Sequence, residues 1–167
     1  MIEEALKGLV LATLRPPEQG KVAKVPSGLR MFSAVLEYSE AMGLITAYEV
    51  QDAEQIQAIR NGLAAHVIGP HDGQWSFETT DVRQHLARCV VPRPAADKRP
   101  LRDVFSHIVI QLAATLWQRE ETARELARTK GRSAAIGYLL SAVENGTDVY
   151  LEHFDEDPPS SDGGSNE

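Results

Sequence analysis

Apolar residues recur every three or four positions along most of this chain, which is the spacing of a helix with one buried side. The spacing predicts helices over residues 2–15, 28–42 and 52–63, and a shorter helix over 81–90. Gly43 stands where a left-handed residue commonly ends a helix. The N-terminal half is therefore expected to be mainly helical.

Two stretches break this spacing and predict β-structure. Residues 44–50 (LITAYEV) are rich in strand-forming types. Two further β-prone runs flank the turn residues 70–73 (PHDG), so a β-hairpin is expected over 65–79. The predicted fold class is α+β and α-rich, with short helices around a small antiparallel sheet.

The strongest helical pattern lies in the last third of the chain. Apolar residues repeat at helical spacing over 101–130 and predict one long helix. Gly131 interrupts the pattern, a second helix is expected over 133–145, and Asn145-Gly146 is expected to end it. Two helices joined by so short a turn predict a C-terminal αα-hairpin.

These elements divide the chain into four predicted segments. An N-terminal α+β domain covers 1–91, and a proline-rich basic linker covers 92–100. The helical hairpin covers 101–154, and a disordered acidic tail covers 155–167. The tail has no aliphatic or aromatic residue, so it buries too little apolar surface to offset the entropy of ordering.

Composition points to a folded cytoplasmic protein. The chain has 167 residues, of which 43% are apolar, and no apolar run approaches the length that crosses a bilayer. Acidic residues stand at its start where a signal peptide would be basic, so neither secretion nor a membrane partner is expected. The single cysteine, Cys89, excludes an internal disulfide and a multi-cysteine zinc cluster.

Charge is distributed unevenly along the chain, whose net charge is −7. Residues 83–132 carry eleven Lys and Arg against five Asp and Glu, whereas the residues from Glu152 onward carry six acids and no base. A basic region of this kind can neutralise phosphates, although it is equally typical of a solvated helix face. The candidate nucleic-acid contacts are Arg124, Arg128, Lys130, Arg132, Lys98 and Arg99.

Residues 124–140 (RELARTKGRSAAIGYLL) resemble a DNA-binding helix-turn-helix. Leu126 and Gly131 fit the first helix and the turn of that motif. Lys130 stands where an apolar residue usually fills the space between the helices, and Gly137 falls at a position that should be buried. An αα-hairpin explains the same residues, so both interpretations stay open.

The order of elements in the N-terminal half resembles a winged helix with one helix missing. Helix 28–42, strand 44–50, helix 52–63 and the hairpin at 65–79 follow that order. The helix that would read DNA begins Asp-Ala-Glu, which suits phosphates poorly. A small sheet covered by helices is the favoured interpretation.

Asp81, His85 and Cys89 are the candidate catalytic residues. Their types suit nucleophilic catalysis, which needs a thiol, a base and an orienting carboxylate. Their spacing of four places all three on one helix face, whereas known triads assemble from separate elements. A buried structural cysteine is the favoured interpretation, and an enzyme with a Cys/His site is the weaker alternative.

Neither a metal site nor a cofactor is expected. Three possible ligands surround the predicted hairpin, namely His66, His71 and Asp72. Residues on opposite faces of a strand point apart, so a turn aspartate and exposed histidines explain them equally well. His107 lies beside an apolar stripe and is expected at the edge of the core.

The long helix is apolar over more than half of its circumference, and the short helix after it is too small to cover that surface. We therefore expect a non-enzymatic helical assembly or regulatory subunit that self-associates and binds a protein partner. A helix-turn-helix-like DNA- or RNA-binding regulator using residues 83–132 is the alternative. The candidate interface residues are Phe105, Ile108, Val109, Leu112, Trp117 and Tyr138.

Overall fold

The computed structural model describes residues 1–14, 26–68, 77, 79–91 and 99–152, with the backbone alone for 65–68 and 147–152. These residues form six α-helices, and a short 3₁₀ turn, Ser27–Leu29, precedes the second of them. The helices are α1 (Ile2–Thr13), α2 (Phe32–Ala41), α3 (Ala47–Ile68), α4 (Thr80–Arg88), α5 (Leu101–Thr129) and α6 (Arg132–Glu152).

The predicted α+β class with a small antiparallel sheet is wrong, because no strand occurs in the part of the chain that the structure describes. Residues 47–50 of the predicted strand form the first turn of α3, and residues 65–68 of the predicted hairpin form its last turn. The remainder of that hairpin, 69–76 and 78, lies outside the described residues. Without the strand at 44–50, the winged-helix order is lost as well.

Two glycines mark the ends of helices as the sequence predicts. Gly43 follows α2 with φ +64°, and Gly131 separates α5 from α6 with φ +90°. Both values lie in the left-handed region, which glycine adopts without the steric penalty that a Cβ brings. The predicted end of the last helix at Asn145-Gly146 is wrong, since α6 continues to Glu152.

The long helix α5 is the central element of the fold. The N-terminus of α1 lines a cavity together with Phe105 and Val109, and Gly8 of α1 lies against Glu120, so α1 runs in the same general direction as α5. Helix α6 returns along α5 and brings Gly146 close to Arg119. The predicted αα-hairpin geometry is therefore present in α5 and α6.

Buried apolar side chains from all six helices form one core. On α5 the buried positions repeat at helical spacing through Val104, Ile108, Leu112 and Leu116. Leu6 of α1 is among the fully buried side chains that meet this core. Each such residue contributes roughly 1.5–3 kcal/mol by leaving water, which makes packing on α5 the main force that holds the helices together.

Candidate interaction surface

The outer side of α5 exposes two large apolar residues. Ile110 is 57% exposed and Trp117 is 48% exposed. Seven residues are about two helical turns, so the two side chains lie on one side of the helix, roughly 10 Å apart along its axis. Ala114, which is also exposed, lies between them. We call Ile110, Ala114 and Trp117 the α5 face.

Charged residues continue this side of the helix at both ends. Asp103 and Glu121 are exposed. Exposed Arg124 forms an ion pair with Glu120 of its own helix. The α5 face is thus a short apolar patch with charged residues beyond both of its ends.

A further ion pair lies about two to three turns beyond the patch. Arg128 donates to both carboxylate oxygens of Glu125, with Nη2 2.9 Å from Oε1 and Nε 3.0 Å from Oε2. The hydrogen bonds from Arg128 hold the pKa of the Glu125 carboxyl below its usual value. Both side chains are open to solvent, so water and salt screen this pair and it adds little to the stability of the fold.

The candidate interface residues fall on different sides of α5. Ile108 and Leu112 are fully buried in the core, whereas Trp117 is open to solvent. Phe105 is half-buried, and its ring centre lies 5.5 Å from that of Phe77. Val109 and Tyr138 are also half-buried. The candidate set did not contain Ile110, which the structure places beside Trp117.

A buried ion pair sets the rotation of α5 about its axis. Arg119 is 5% exposed and Glu49 is 1% exposed. Arg119 Nη1 lies 2.9 Å from Glu49 Oε2, and Nη2 lies 2.8 Å from Oε1. Nη1 also donates to the carbonyl of Leu44 at 3.0 Å. Since residues 117 and 119 lie about 200° apart on a helix, holding Arg119 inward keeps Trp117 outward.

The carboxylate of this pair also caps α3. Glu49 Oε2 accepts a hydrogen bond from the main-chain N–H of Thr46 at 2.7 Å, and Thr46 Oγ1 accepts one from the N–H of Glu49 at 3.1 Å. This reciprocal arrangement is a capping box, whose sequence signature is Thr-x-x-Glu. Arg119 therefore ties the start of α3 to the middle of α5.

A second buried carboxylate joins α3 to the segment after α4. Asp52 Oδ1 accepts from the N–H of Val90 at 2.5 Å, and Oδ2 accepts from the N–H of Val91 at 3.0 Å. The preceding residue, Gln51, donates to the carbonyl of Arg88 at 2.6 Å. The bond from Gln51 gives a carbonyl at the end of α4 a partner outside the helix, and Asp52 binds two main-chain N–H groups of the segment that follows.

The candidate catalytic residues do not assemble into a triad. Asp81 is exposed on the first turn of α4. His85 Nδ1 lies 2.8 Å from Gln55 Oε1, so its ring contacts α3. The buried thiol of Cys89 donates to the main-chain carbonyl of His85 at 3.6 Å. The thiol is thus directed at the main chain, which is the contact of a structural cysteine.

Within the described residues, no group of three or more His, Cys, Asp or Glu is arranged to hold a metal ion. The side chain of His66 is not described, and His71 and Asp72 lie outside the described residues. His107 is half-buried on α5. A cavity of about 420 Å³ opens between α1, α2, α3 and α5, with Phe32, Ile56 and Phe105 among its lining residues.

The candidate nucleic-acid contacts are partly engaged with acids. Arg124 and Arg128 are paired with glutamates of their own helix, whereas Lys130, Arg132 and Arg99 are exposed. Lys98 lies outside the described residues. A helix-turn-helix crosses its two helices at a steep angle. Here α6 instead runs back along α5 far enough to reach Arg119, which is the path of an αα-hairpin.

Comparison with protein-family models, with curated protein sequences and with solved structures gives no match for this chain. Among the helices of the described residues, none combines the length and apolar composition that spanning a membrane requires. The candidate site is thus characterised by its own geometry alone.

Proposed function

We propose that the protein is a non-enzymatic helical assembly or regulatory subunit that associates with another protein chain through the α5 face. The proposal rests on the exposure of two large apolar side chains, Ile110 and Trp117, on the same side of α5, the longest helix described. Large aromatic and aliphatic side chains in such a position are the usual anchors of an interface. A cytoplasmic location belongs to the same proposal, because the single cysteine offers no internal disulfide.

The buried ion pair supports this proposal. Arg119 lies on the buried side of α5, so turning Trp117 inward would remove the guanidinium from Glu49. Exposing an indole costs free energy in the isolated chain, so a contact that covers it would recover that free energy. An interface is the function that accounts for an apolar patch held outward in this way.

The proposal is tested by measuring mass with light scattering after size exclusion, from low to high micromolar concentration. We expect wild type to associate and the double variant Ile110→Glu, Trp117→Glu to remain monomeric with an unchanged helical circular-dichroism spectrum. The matched control is Gln111→Glu with Gln118→Glu, which adds the same charge to exposed polar positions of α5 and should associate. A wild-type chain that stays monomeric throughout would contradict the proposal.

A nucleic-acid-binding regulator is the second candidate function. It is favoured by the exposure of Lys130 and Arg132 on either side of Gly131, where the turn between α5 and α6 presents them to solvent. Such contacts would position phosphates without reading the base sequence. Its test is the salt dependence of binding to a DNA duplex, because phosphate contacts release counterions.

A further inference from the structure

Four exposed residues of α5 are spaced by seven, in the order Asp103, Ile110, Trp117 and Arg124. A spacing of seven keeps side chains on nearly the same side of a helix. The four residues are, in order, an acid, two apolar residues and a base. The pattern therefore has an apolar centre and opposite charges at its two ends. Its midpoint falls beside Ala114, the small residue of the α5 face.

We propose that the partner at the α5 face is a second copy of this chain, packed with its own α5 antiparallel about a two-fold axis beside Ala114. This inference rests on the proposed function and adds its partner and geometry. The arrangement places Ile110 of each chain on Trp117 of the other. It also places Asp103 opposite Arg124 of the other chain, and the two-fold axis produces that pair twice.

Charge selects the antiparallel orientation over the parallel one. In a parallel pair related by a two-fold axis, each residue of the face meets its own copy, so Asp103 would face Asp103 and Arg124 would face Arg124. Like charges directly opposite each other are unfavourable, and interfaces use such contacts to exclude wrong arrangements. The antiparallel pair has opposite charges at both ends of the same apolar contact.

Side-chain size at the midpoint is consistent with close approach. Packed helices lie about 8–10 Å apart, and the shorter distances require small residues at the contact. Ala114 supplies one where the two helices would be nearest. The proposed contact from Asp103 to Arg124 spans 21 residue steps, or roughly 32 Å of one helix, so the interface is expected to be small. The dimer is therefore expected to dissociate on dilution.

Cross-linking through single cysteines tests the orientation in the full chain. In Ala114→Cys the two introduced thiols lie across the axis, so mild oxidation should give a disulfide-linked dimer. In Glu121→Cys, which is exposed on the same side of α5, antiparallel packing separates the two thiols by about 22 Å along the axis. A disulfide requires Cα atoms roughly 4.4–6.8 Å apart. The Glu121→Cys variant should therefore run as a monomer on denaturing gels without a reducing agent.

The native thiol of Cys89 is buried and is retained in both variants, and wild type oxidised alongside them controls for it. Cross-linking at Ala114→Cys but not at Glu121→Cys supports the inference. Cross-linking at both positions indicates a parallel pair and overturns it. Absence of cross-linking at Ala114→Cys overturns it as well.

Charge reversal tests the proposed pair between the chains. We expect Asp103→Arg and Arg124→Asp each to weaken the dimer about tenfold, because each change creates two repulsive contacts per dimer. Combining the two changes should return the dissociation constant to within about twofold of wild type, since the pair is restored with its charges exchanged. Arg83→Asp, a charge reversal of the same size at an exposed position of α4, is the control and should leave the dimer unchanged.

The failure of this inference differs from the failure of the proposed function. Suppose that Ile110→Glu with Trp117→Glu abolishes association, but that the variant with both charge reversals forms a weaker dimer than either single reversal. The α5 face is then an interface, and its antiparallel geometry is overturned. If wild type never associates, the proposed function itself is contradicted. Rescue by the combined reversal supports both.

Discussion

At the scale of single residues, Arg119 is the position where a substitution should have the largest effect. Its guanidinium is buried, and it holds a carboxylate that is itself buried and part of a helix cap. Removing one partner of a buried ion pair leaves a charge without compensation, and this costs more than the pair contributes over a well-packed apolar replacement. The ion pair thus constrains the fold more than it stabilises it.

We expect Arg119→Met to lower the free energy of unfolding by about 3–5 kcal/mol, because Glu49 is left buried without its cation. Urea denaturation followed by circular dichroism measures this. The double variant Arg119→Met, Glu49→Gln should recover most of the loss, since an amide keeps a capping oxygen and carries no charge. A double variant no more stable than Arg119→Met would contradict the role assigned to the pair.

Arg128→Met is the matched control for that experiment. It makes the same substitution on the same helix, at an ion pair whose two side chains are 76% and 56% exposed. Water screens such pairs, so the free energy of unfolding should stay at its wild-type value within the error of the measurement. The contrast between the two positions isolates burial as the cause of the larger effect.

At the scale of helices, two nearby glycines should respond to the same substitution with opposite signs. Gly131 has φ +90°, where a Cβ is strained whatever the surrounding space, so Gly131→Ala should destabilise the hairpin by about 1–2 kcal/mol. Gly137 lies within α6 with nothing within 4 Å of an added Cβ, so Gly137→Ala should stabilise by about 0.5–1 kcal/mol. The midpoints of urea unfolding measure both changes in stability. Two changes of the same sign would argue against the backbone conformations assigned to the two glycines.

The connection between α3 and the end of α4 depends on Asp52. Asp52→Ala should lower the free energy of unfolding by about 3 kcal/mol, because two main-chain N–H groups lose a charged acceptor. Hydrogen exchange at Val90 and Val91 should also become faster than in wild type. Glu54→Ala removes the same charge from an exposed position of α3 and should change neither quantity. Unchanged exchange in Asp52→Ala would refute the assignment.

Helical spacing predicted where most helices lie, but β-propensity misplaced the start of α3. The β-branched residues of LITAYEV favour a strand in isolation, yet Leu44 and Ile45 enter the core as a short link. The Thr46-x-x-Glu49 signature of a capping box was present in the same stretch. Tertiary contacts with α5 decide between a strand and a helix in this stretch, and local propensity does not take such contacts into account.

The candidate surface was harder to predict from the sequence than the positions of the helices were. Apolar residues cover more than half of α5, so spacing alone does not distinguish Ile108, which is buried, from Ile110, which is exposed. The position of Arg119 carried the missing information. It falls in phase with buried Leu112 and Leu116, and an arginine on the buried side of a helix implies an acidic partner elsewhere in the chain.

At the scale of the whole molecule, pairing between charges reduces the basic character that residues 83–132 have in the sequence. Arg119 is buried against Glu49, and Arg124 and Arg128 each have a glutamate within one turn. Arg119 would have to leave its buried partner before it could contact a phosphate, and the adjacent glutamates offset the positive charge of Arg124 and Arg128. Within the described part of residues 83–132, the remaining exposed bases are spread over α4, the start of α5 and the turn before α6.

We therefore expect neither the full chain nor a version ending at Phe154 to bind a generic DNA duplex in a salt-sensitive way at low ionic strength. Fluorescence anisotropy with a labelled duplex measures this, and removal of the acidic tail controls for competition with the duplex. Each phosphate contact releases a counterion, so real binding would weaken steeply as salt rises. If truncation uncovers such binding and Lys130→Ala with Arg132→Ala abolishes it, the turn between α5 and α6 is a nucleic-acid contact. The second candidate function would then replace the first.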